Sequence, residues 1–299
     1  MPKADKKNKK PKRTEGGPVR LSVRKTYKLF IGGAFPRSES GRSYVVHDAD
    51  GAFLANASLA SRKDVRDAVV AARKAFGPWA ARTAYNRGQI LYRIAEMLEG
   101  RRAQFVAELR ATGRSAEAAG AEVDAAVDRW VWYAGWADKV AAVAGNPNAV
   151  AGPFLNISTP VPTGVVGVLA PEGSPLLGLA SVLAPAIATG NTAVAVADSP
   201  LVAVTFAEVL ATSDLPGGVV NILTGHRAEL APWLAGHMDV NALDLAGASA
   251  ELAAECERAA ASNLKRVLRP ADEDWHADPG LRRLTAFLET RTVWHPVGV

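Results

Sequence analysis

The sequence has 299 residues, of which 48% are hydrophobic and 22% charged, a composition typical of a globular protein with a sizeable core. It has no apolar run of the roughly 18 residues that a membrane helix needs, and no apolar segment follows its basic start as in a secretory signal. The single cysteine excludes an internal disulfide framework and predicts a reducing, cytoplasmic environment.

The net charge of +5 is unevenly distributed along the chain. Residues 1–25 carry ten Lys or Arg against two acidic residues, a net of +8, whereas the remainder carries −3. Because residues 1–26 are polar, basic and poor in apolar side chains, we expect them to form a disordered tail. A basic tail can attract nucleic acid or anionic lipid, but this one has no aromatic side chains to stack on bases. Nucleic-acid binding is therefore a disfavoured alternative.

Short strands are predicted next. Residues 28–35 indicate a strand that runs into a Gly-Gly turn, and residues 44–47 and 52–58 indicate two strands around the Asp50-Gly51 turn.

A helical block follows these strands. Ser61 and Asp64 resemble a capping box, with Asp in place of the usual Glu. Apolar residues at helical spacing then predict four helices, the fourth capped by Ser115, near residues 65–76, 90–98, 102–112 and 115–134. Residues 146–163, rich in Pro, Asn and Gly, interrupt this pattern. Within them, residues 151–162 are predicted to form a projecting strand or hairpin.

From residue 164 onward, continuously apolar strands alternate with helices. The predicted strands are 164–170, 192–197, 219–223, 240–245 and 264–268, and the helices are 176–188, 201–212, 227–235 and 249–261. This alternation predicts an α/β fold with a doubly wound parallel sheet covered on both faces. Ligands of such sheets lie beyond the carboxyl ends of the strands, which here are residues 170–173, 197–199, 224–225 and 246–247.

Several of these segments, in order along about 240 residues, resemble the NAD(P)-dependent aldehyde dehydrogenase superfamily. They are Leu29–Gly33, Asp64–Trp79, Gly164–Val168, Pro175–Leu177, Ala184–Ala186, Gly190–Thr192, Leu215–Asn221, Thr224–Gly225 and Asn263–Val267. The resemblance implies that residues 27–268 form a Rossmann-like cofactor-binding domain. It also implies that the sequence is a truncated, degenerate member that lacks the catalytic domain.

The resemblance places candidate cofactor-binding residues at the strand ends: Pro171, Ser199, Gly225, Gly247 and Ser249. Ser249 would begin a helix whose free N–H groups can receive a pyrophosphate, although the same residues also suit an ordinary strand-to-helix joint. The ribose-binding Lys and Glu of the family are replaced by Val196 and Ser199. NAD or NADP is therefore the implied cofactor, with binding weak or lost.

The catalytic positions of the family are also changed. Its oxyanion-binding Asn is replaced within Pro171-Glu172-Gly173, and its general-base Glu is replaced within residues 268–272. Glu273 lies nearby, but nothing in the sequence assigns it that role. Cys256 is predicted to lie within a helix between two carboxylates, which would raise the thiol pKa, so we expect an inert structural cysteine. We therefore expect neither a catalytic residue nor a metal site.

Two segments resemble the oligomerisation strands of the family. One is residues 151–162, and the other is residues 287–294 within the C-terminal segment 269–299, for which a helix over 281–290 is the alternative. The sequence thus predicts a non-catalytic partner subunit that docks onto a full-length aldehyde dehydrogenase or onto itself, without a membrane. The alternatives are an aldehyde oxidoreductase active only in a complex and an NAD-binding module.

Overall fold

The computed structural model describes residues 25–298, so residues 1–24 of the predicted tail lie outside the described part. For its last two residues the prediction of disorder is wrong. Thr26–Tyr27 form a short strand, β1, and Lys25 makes an ion pair with Glu208. Strand β1 is held because it pairs in parallel with another strand, a partner that the local composition does not reveal.

The N-terminal sheet contains three strands in the order β1-β3-β2. Strand β2 is Ser43–His47 and β3 is Phe53–Ser58, and they pair antiparallel as the Asp50-Gly51 turn predicts. The strand predicted over residues 28–35 is reduced to two isolated bridges, Phe30 with Ile222 and Ile31 with Ala34. This segment turns too tightly for a ladder, because Gly32 and Gly33 both have positive φ.

The helical block contains four long helices and one short helix that the sequence did not predict. They are α1 (Arg62–Ala80), α2 (Ala84–Glu99), α3 (Arg102–Ala111), α4 (Ala116–Trp136) and α5 (Val140–Ala144). Both predicted caps are present: Ser61 and Asp64 form the capping box of α1, and Ser115 accepts a hydrogen bond from the Ala118 N–H at the start of α4. Four aromatic residues of the block are fully buried, namely Trp79, Phe105, Trp130 and Tyr133, whereas Tyr85 and Tyr92 on α2 are exposed.

The central sheet has five parallel strands in the order β10-β9-β6-β7-β8. The strands are β6 (Val165–Leu169), β7 (Thr192–Ala197), β8 (Val220–Thr224), β9 (Ala242–Asp244) and β10 (Arg266–Leu268). The helices between them are α6 (Leu177–Ala188), α7 (Pro200–Ala211), α8 (Arg227–Gly236) and α9 (Ala250–Ala260). The strand order reverses between β6 and β9, so the sheet is doubly wound as predicted.

Alternate side chains of these strands enter two different hydrophobic cores. Val166 and Val168 pack in the core formed with α2, α4, α6 and α7, whereas Val165 and Leu169 pack in the core formed with α1, α8 and α9. A parallel sheet covered on both faces requires apolar residues at every strand position, which explains the continuous apolar runs in the sequence.

A third sheet stands apart from these cores. Strand β5 (Phe154–Pro162) pairs antiparallel with β4 (Asn146–Asn148) on one side and with β11 (Leu288–Pro296) on the other. The short helix α10 (Arg282–Ala286) occupies the first half of the alternative helix over 281–290, but β11 begins at Leu288, so that alternative is wrong for its second half. In the described residues no helix is long and apolar enough to cross a membrane.

The buried amide of Asn191 joins the C-terminal segment to the parallel sheet. Its Oδ1 accepts a hydrogen bond from the Gly164 N–H at 2.8 Å, and its Nδ2 donates to the carbonyl of Phe287 at 3.0 Å and to Thr189 Oγ1 at 3.0 Å. The Asn191 side chain therefore holds both Gly164, at the start of β6, and Phe287, the residue that precedes β11.

We expect Asn191→Ala to lower the free energy of unfolding by about 3 kcal/mol, because it leaves buried polar groups without partners. Urea unfolding of the purified chain measures this loss. Asn86→Ala, which changes a partly exposed amide on α2, is the matched control and should cost less than about 1 kcal/mol. Equal losses in the two variants would contradict this role for Asn191.

Candidate functional site

The crevice at the reversal of strand order lies where β6 and β9 end side by side. The N–H of Gly247, beyond β9, donates to the carbonyl of Leu169 at 2.9 Å and so brings the two chain segments into contact. A Cβ atom at position 247 would lie 2.1 Å from the carbonyl oxygen of Ala170. Only glycine allows this close approach of the segment after β9 to the end of β6.

Helix α9 opens onto the same crevice. Ser249 caps it, with its Oγ accepting a hydrogen bond from the Leu252 N–H at 3.2 Å. The first N–H groups of a helix attract anions, so this end of the crevice suits a phosphate. The cavity measures about 680 Å³ and is lined by Glu172, Asp198, His226, Arg227, Ala228, Ala246, Gly247, Ala248, Ser249 and Leu252.

Arg227 lies across this crevice. It is the first residue of α8 and only 9% exposed. One guanidinium nitrogen, Nη1, donates to Glu172 Oε1 at 2.9 Å and to the carbonyl of Gly247. The other, Nη2, donates to the carbonyl of Ala170 at 2.8 Å and makes an ion pair with Asp198 Oδ2 at 2.5 Å. The side chain thus joins the ends of β6, β7 and β9.

Asp198, just beyond β7, is the carboxylate most affected by this arrangement. Burial raises the pKa of Asp198 to about 6; the Arg227 charge favours the ionised form, and the neighbouring Glu172 opposes it. Burial also raises the pKa of Tyr44 to about 12, with Asp198 contributing.

The sequence-predicted cofactor residues reach the crevice only in part. Gly247 and Ser249 line it, but Pro171, Ser199 and Gly225 do not. The next residue in the chain, Glu172 after Pro171 and His226 after Gly225, lines the cavity instead, and so does Asp198, which precedes Ser199. Sequence reasoning placed Asp198 at a strand end without naming it as a site residue, and it missed Arg227. The available signal was a charged residue directly at a strand end or at the start of the following helix.

The positions expected to lack catalytic groups carry structural contacts. The carbonyl of Gly173 accepts a hydrogen bond from Arg114 at 2.6 Å. Arg269 makes an exposed ion pair with Glu257. Glu273 forms ion pairs with Arg282 at 2.9 Å and with the buried Arg283 at 2.8 Å. Each of these groups is therefore engaged in a contact within the chain.

Cys256 lies within α9 and is 1% exposed. Burial raises the pKa of its thiol to about 11, and the carboxylate of Glu255 adds to this effect. The sequence predicted the direction but attributed it to flanking carboxylates, whereas burial is the larger cause. Among residues 25–298, no three His, Cys, Asp or Glu side chains are grouped to hold a metal ion.

Comparison with known proteins identifies the family. Residues 35–269 match the model described as the aldehyde dehydrogenase family. The chain belongs to the aldehyde dehydrogenase family. This membership and the doubly wound fold confirm the resemblance and the fold class expected from the sequence.

The chain matches only part of the length of each individual relative. The chain is 33% identical over 260 residues to cytosolic 10-formyltetrahydrofolate dehydrogenase of Mus musculus, covering 83% of this chain and 28% of that protein. It is 34% identical over 245 residues to an aldehyde dehydrogenase of Aspergillus niger, covering 80% of this chain and 48% of that protein. The NAD+ complex of aldehyde dehydrogenase from Bacillus cereus matches with a TM-score of 0.76 and 28% identity, over 81% of this chain and 50% of that chain. The chain therefore spans half the length of these relatives or less.

We expect the stability of the protein to depend on pH through Asp198. Its pKa is raised in the folded state from 3.8 to about 6, so its neutral form stabilises the fold at low pH and this contribution is lost as pH rises through that range. Asp198→Asn stays neutral, so its stability relative to the unmodified protein should increase between about pH 4 and pH 7.

Thermal unfolding at several pH values measures this difference. Asp67→Asn, an exposed carboxylate on α1, is the control and should show a constant difference from the unmodified protein. An advantage of Asp198→Asn that shrinks with rising pH would contradict the assignment.

Proposed function

We propose that this chain is a non-catalytic subunit that associates, through the sheet β4-β5-β11, with a catalytically complete aldehyde dehydrogenase or with a second copy of itself. In this proposal residues 27–268 serve as a cofactor-type scaffold whose own nucleotide binding is weak or lost. Residues 151–162 and 269–299 serve in assembly. The proposed location is the cytoplasm, supported by the name of the cytosolic mouse relative and by the single cysteine.

The observation that carries the proposal is the exposure of β11. Eight of its nine residues are exposed, although it is paired with β5 along its whole length. Trp294 is 57% exposed and Val293, on the opposite face, is 49% exposed. A strand with apolar side chains on both faces and one free edge invites pairing with another chain.

Apolar residues of β5 extend the same surface. Phe154, Leu155 and Ile157 are exposed, and the Phe154 ring contacts Trp294 edge to face at 5.8 Å between centroids. By the strand register, Phe154 and Trp294 lie on one face of the sheet, and Leu155, Ile157 and Val293 lie on the other. We expect the partner to cover the face with Phe154 and Trp294 and to extend the sheet at the free edge of β11.

The chemistry of the described residues supports a non-catalytic role. The oxyanion-binding amide that the family resemblance assigns to position 173 is a glycine here, and removing such a donor costs roughly 3–4 kcal/mol of transition-state stabilisation. Cys256 is buried with a raised pKa, so its thiolate is scarcely populated at neutral pH.

The crevice supports the loss of cofactor binding. A dinucleotide would bring its negative pyrophosphate to a place lined by the carboxylates of Glu172 and Asp198. The cation that could attract the pyrophosphate, Arg227, is already bound to both carboxylates and to two carbonyl oxygens. Displacing Arg227 would leave a buried charge unpaired, which is costly.

A second candidate function is an NAD-binding module, because the capped N-terminus of α9 still faces a cavity of about 680 Å³. An oxidoreductase active only within the complex would need the same nucleotide site or one supplied by its partner. Nucleotide titration distinguishes these candidates from the scaffold role.

We expect Trp294→Asp to abolish association, because it places a charge within the apolar surface of β11. Light scattering after size-exclusion chromatography measures the mass of the chain alone and mixed with a full-length aldehyde dehydrogenase of the same organism. Tyr85→Asp changes an equally exposed aromatic residue on α2 and should leave association intact. A monomeric unmodified chain in both samples would refute the proposal.

We expect the unmodified chain to bind neither NAD+ nor ADP at millimolar concentration in calorimetric titration. The double variant Glu172→Gln, Asp198→Asn frees Arg227 from both carboxylates, so it should gain measurable ADP binding. The triple variant Arg227→Gly, Glu172→Gln, Asp198→Asn also removes the cation, so it should bind no ADP and is the matched control. Binding of NAD+ by the unmodified chain would instead favour the NAD-binding module.

A further inference from the structure

A second cavity, separate from the crevice, lies between α4, α6 and the segment that follows β10. It measures about 200 Å³. Its lining residues are Arg129, Tyr133, Ser181, Glu273, Asp274, Trp275, Ala277, Asp278, Pro279, Arg282 and Arg283. Because one liquid water occupies about 30 Å³, the space suits a molecule of about six to eight non-hydrogen atoms.

The inner end of the cavity is built from buried polar groups. Ser181 is 1% exposed, and its Oγ has no hydrogen-bond partner within the described residues. Tyr133 is fully buried and its hydroxyl faces Arg129. Burial raises the pKa of Tyr133 to about 12, so the hydroxyl keeps its proton and can donate a hydrogen bond. A buried hydroxyl without a partner is costly, and a ligand would remove that cost.

Arg129 gives this end a positive charge. It is 7% exposed, and its Nη2 donates to the carbonyls of Trp275 at 2.6 Å and Ala277 at 3.0 Å. No carboxylate among residues 25–298 forms an ion pair with it. Buried arginines are normally neutralised, so Arg129 is suited to receive an anionic group.

The other two arginines of the cavity are already neutralised. Arg283 pairs with Asp244 and with Glu273, and Arg282 pairs with the same Glu273. Trp275 covers the Arg283 guanidinium at 5.1 Å from the ring centroid. The walls therefore contribute little net charge. Arg129 is the group at the inner end whose positive charge has no carboxylate partner among the described residues.

The rim of the cavity has the opposite sign. Asp274 and Asp278 are both exposed lining residues. One oxygen of each is used locally, on the N–H groups of His276 and Gly280, and the second carboxylate oxygen of each is available. The cavity thus presents a positive inner end with two hydroxyls and a negative rim.

We propose that this cavity binds a small zwitterion, an α-amino acid, with its carboxylate against Arg129, Tyr133 and Ser181 and its ammonium group toward Asp274 and Asp278. The site is independent of the crevice at Arg227. It goes beyond the proposed scaffold role, because it gives the chain a ligand of its own.

Isothermal titration of the full chain with L-alanine tests the proposal, with acetate and ethylamine as probes that each carry one charged end. L-alanine is expected to bind, and each one-ended probe should bind at least about tenfold more weakly. No heat with L-alanine at millimolar concentration would show that the cavity holds only water and would overturn the proposal. Equal binding of acetate and L-alanine would overturn the proposal that the cavity recognises the ammonium group as well as the carboxylate.

Substitutions of the lining residues test whether L-alanine binds in this cavity. Ser181→Ala and Tyr133→Phe should each weaken L-alanine binding about tenfold, and Asp278→Asn should weaken L-alanine but not acetate. Tyr85→Phe, on an exposed face of α2, is the control and should bind as the unmodified chain does. Ser181→Ala removes an unpartnered hydroxyl, so its unfolding temperature should not fall, and weaker binding cannot then be ascribed to misfolding. Unchanged binding in all three variants would place the ligand elsewhere and refute the site.

Discussion

A guanidinium group that is removed from water must find a partner for its charge and acceptors for its N–H groups. Three arginines of this chain meet that constraint in different ways. Arg227 binds two carboxylates and two carbonyl oxygens at the strand ends, and Arg283 binds Asp244 and Glu273 beneath Trp275. Arg129 binds carbonyl oxygens alone. Carboxylates neutralise the charges of Arg227 and Arg283. The charge of Arg129 has no carboxylate partner among the described residues. That difference is the basis for proposing that the crevice opposes an anion and that the second cavity favours one.

The two proposals together imply that a family scaffold can change its ligand chemistry without changing its topology. The strand order, the glycine at position 247 and the capped start of α9 are those of a nucleotide-binding crevice. Arg227, a single long side chain at the start of α8, lies across that crevice. The segment after β10, held by Arg129 and Arg283, encloses the smaller second cavity. Function therefore resides in these few side chains and not in the sheet that carries them.

Sequence reasoning succeeded where the information is local. The Ser61 and Ser115 caps, the turn at Asp50-Gly51 and the buried strands each depend on neighbours within a few residues, and all are present. Sequence reasoning failed where an element depends on a partner that is distant in the sequence or is itself very short. Strand β1 depends on parallel pairing with β3, and α5 and β4 are too short to leave a periodic pattern. For the candidate site, the sequence predicted the region but not the side-chain contacts. The sequence located the strand ends, but the meeting of Glu172, Asp198 and Gly247 on one guanidinium is a property of the assembled sheet.

The pairing of β5 with β11 has a consequence for the order of folding. Ser158 and Thr292, hydrogen-bonded across these strands, are 134 residues apart in the chain. Bringing such distant segments together costs loop-closure entropy before any contact repays it, so long-range pairings form late. We therefore expect the helices and the parallel sheet, whose neighbours are closer in sequence, to form first and to bring the two segments near each other. On this order, the proposed assembly surface exists only on chains that have completed folding, so the proposed association would select folded chains over partly folded ones.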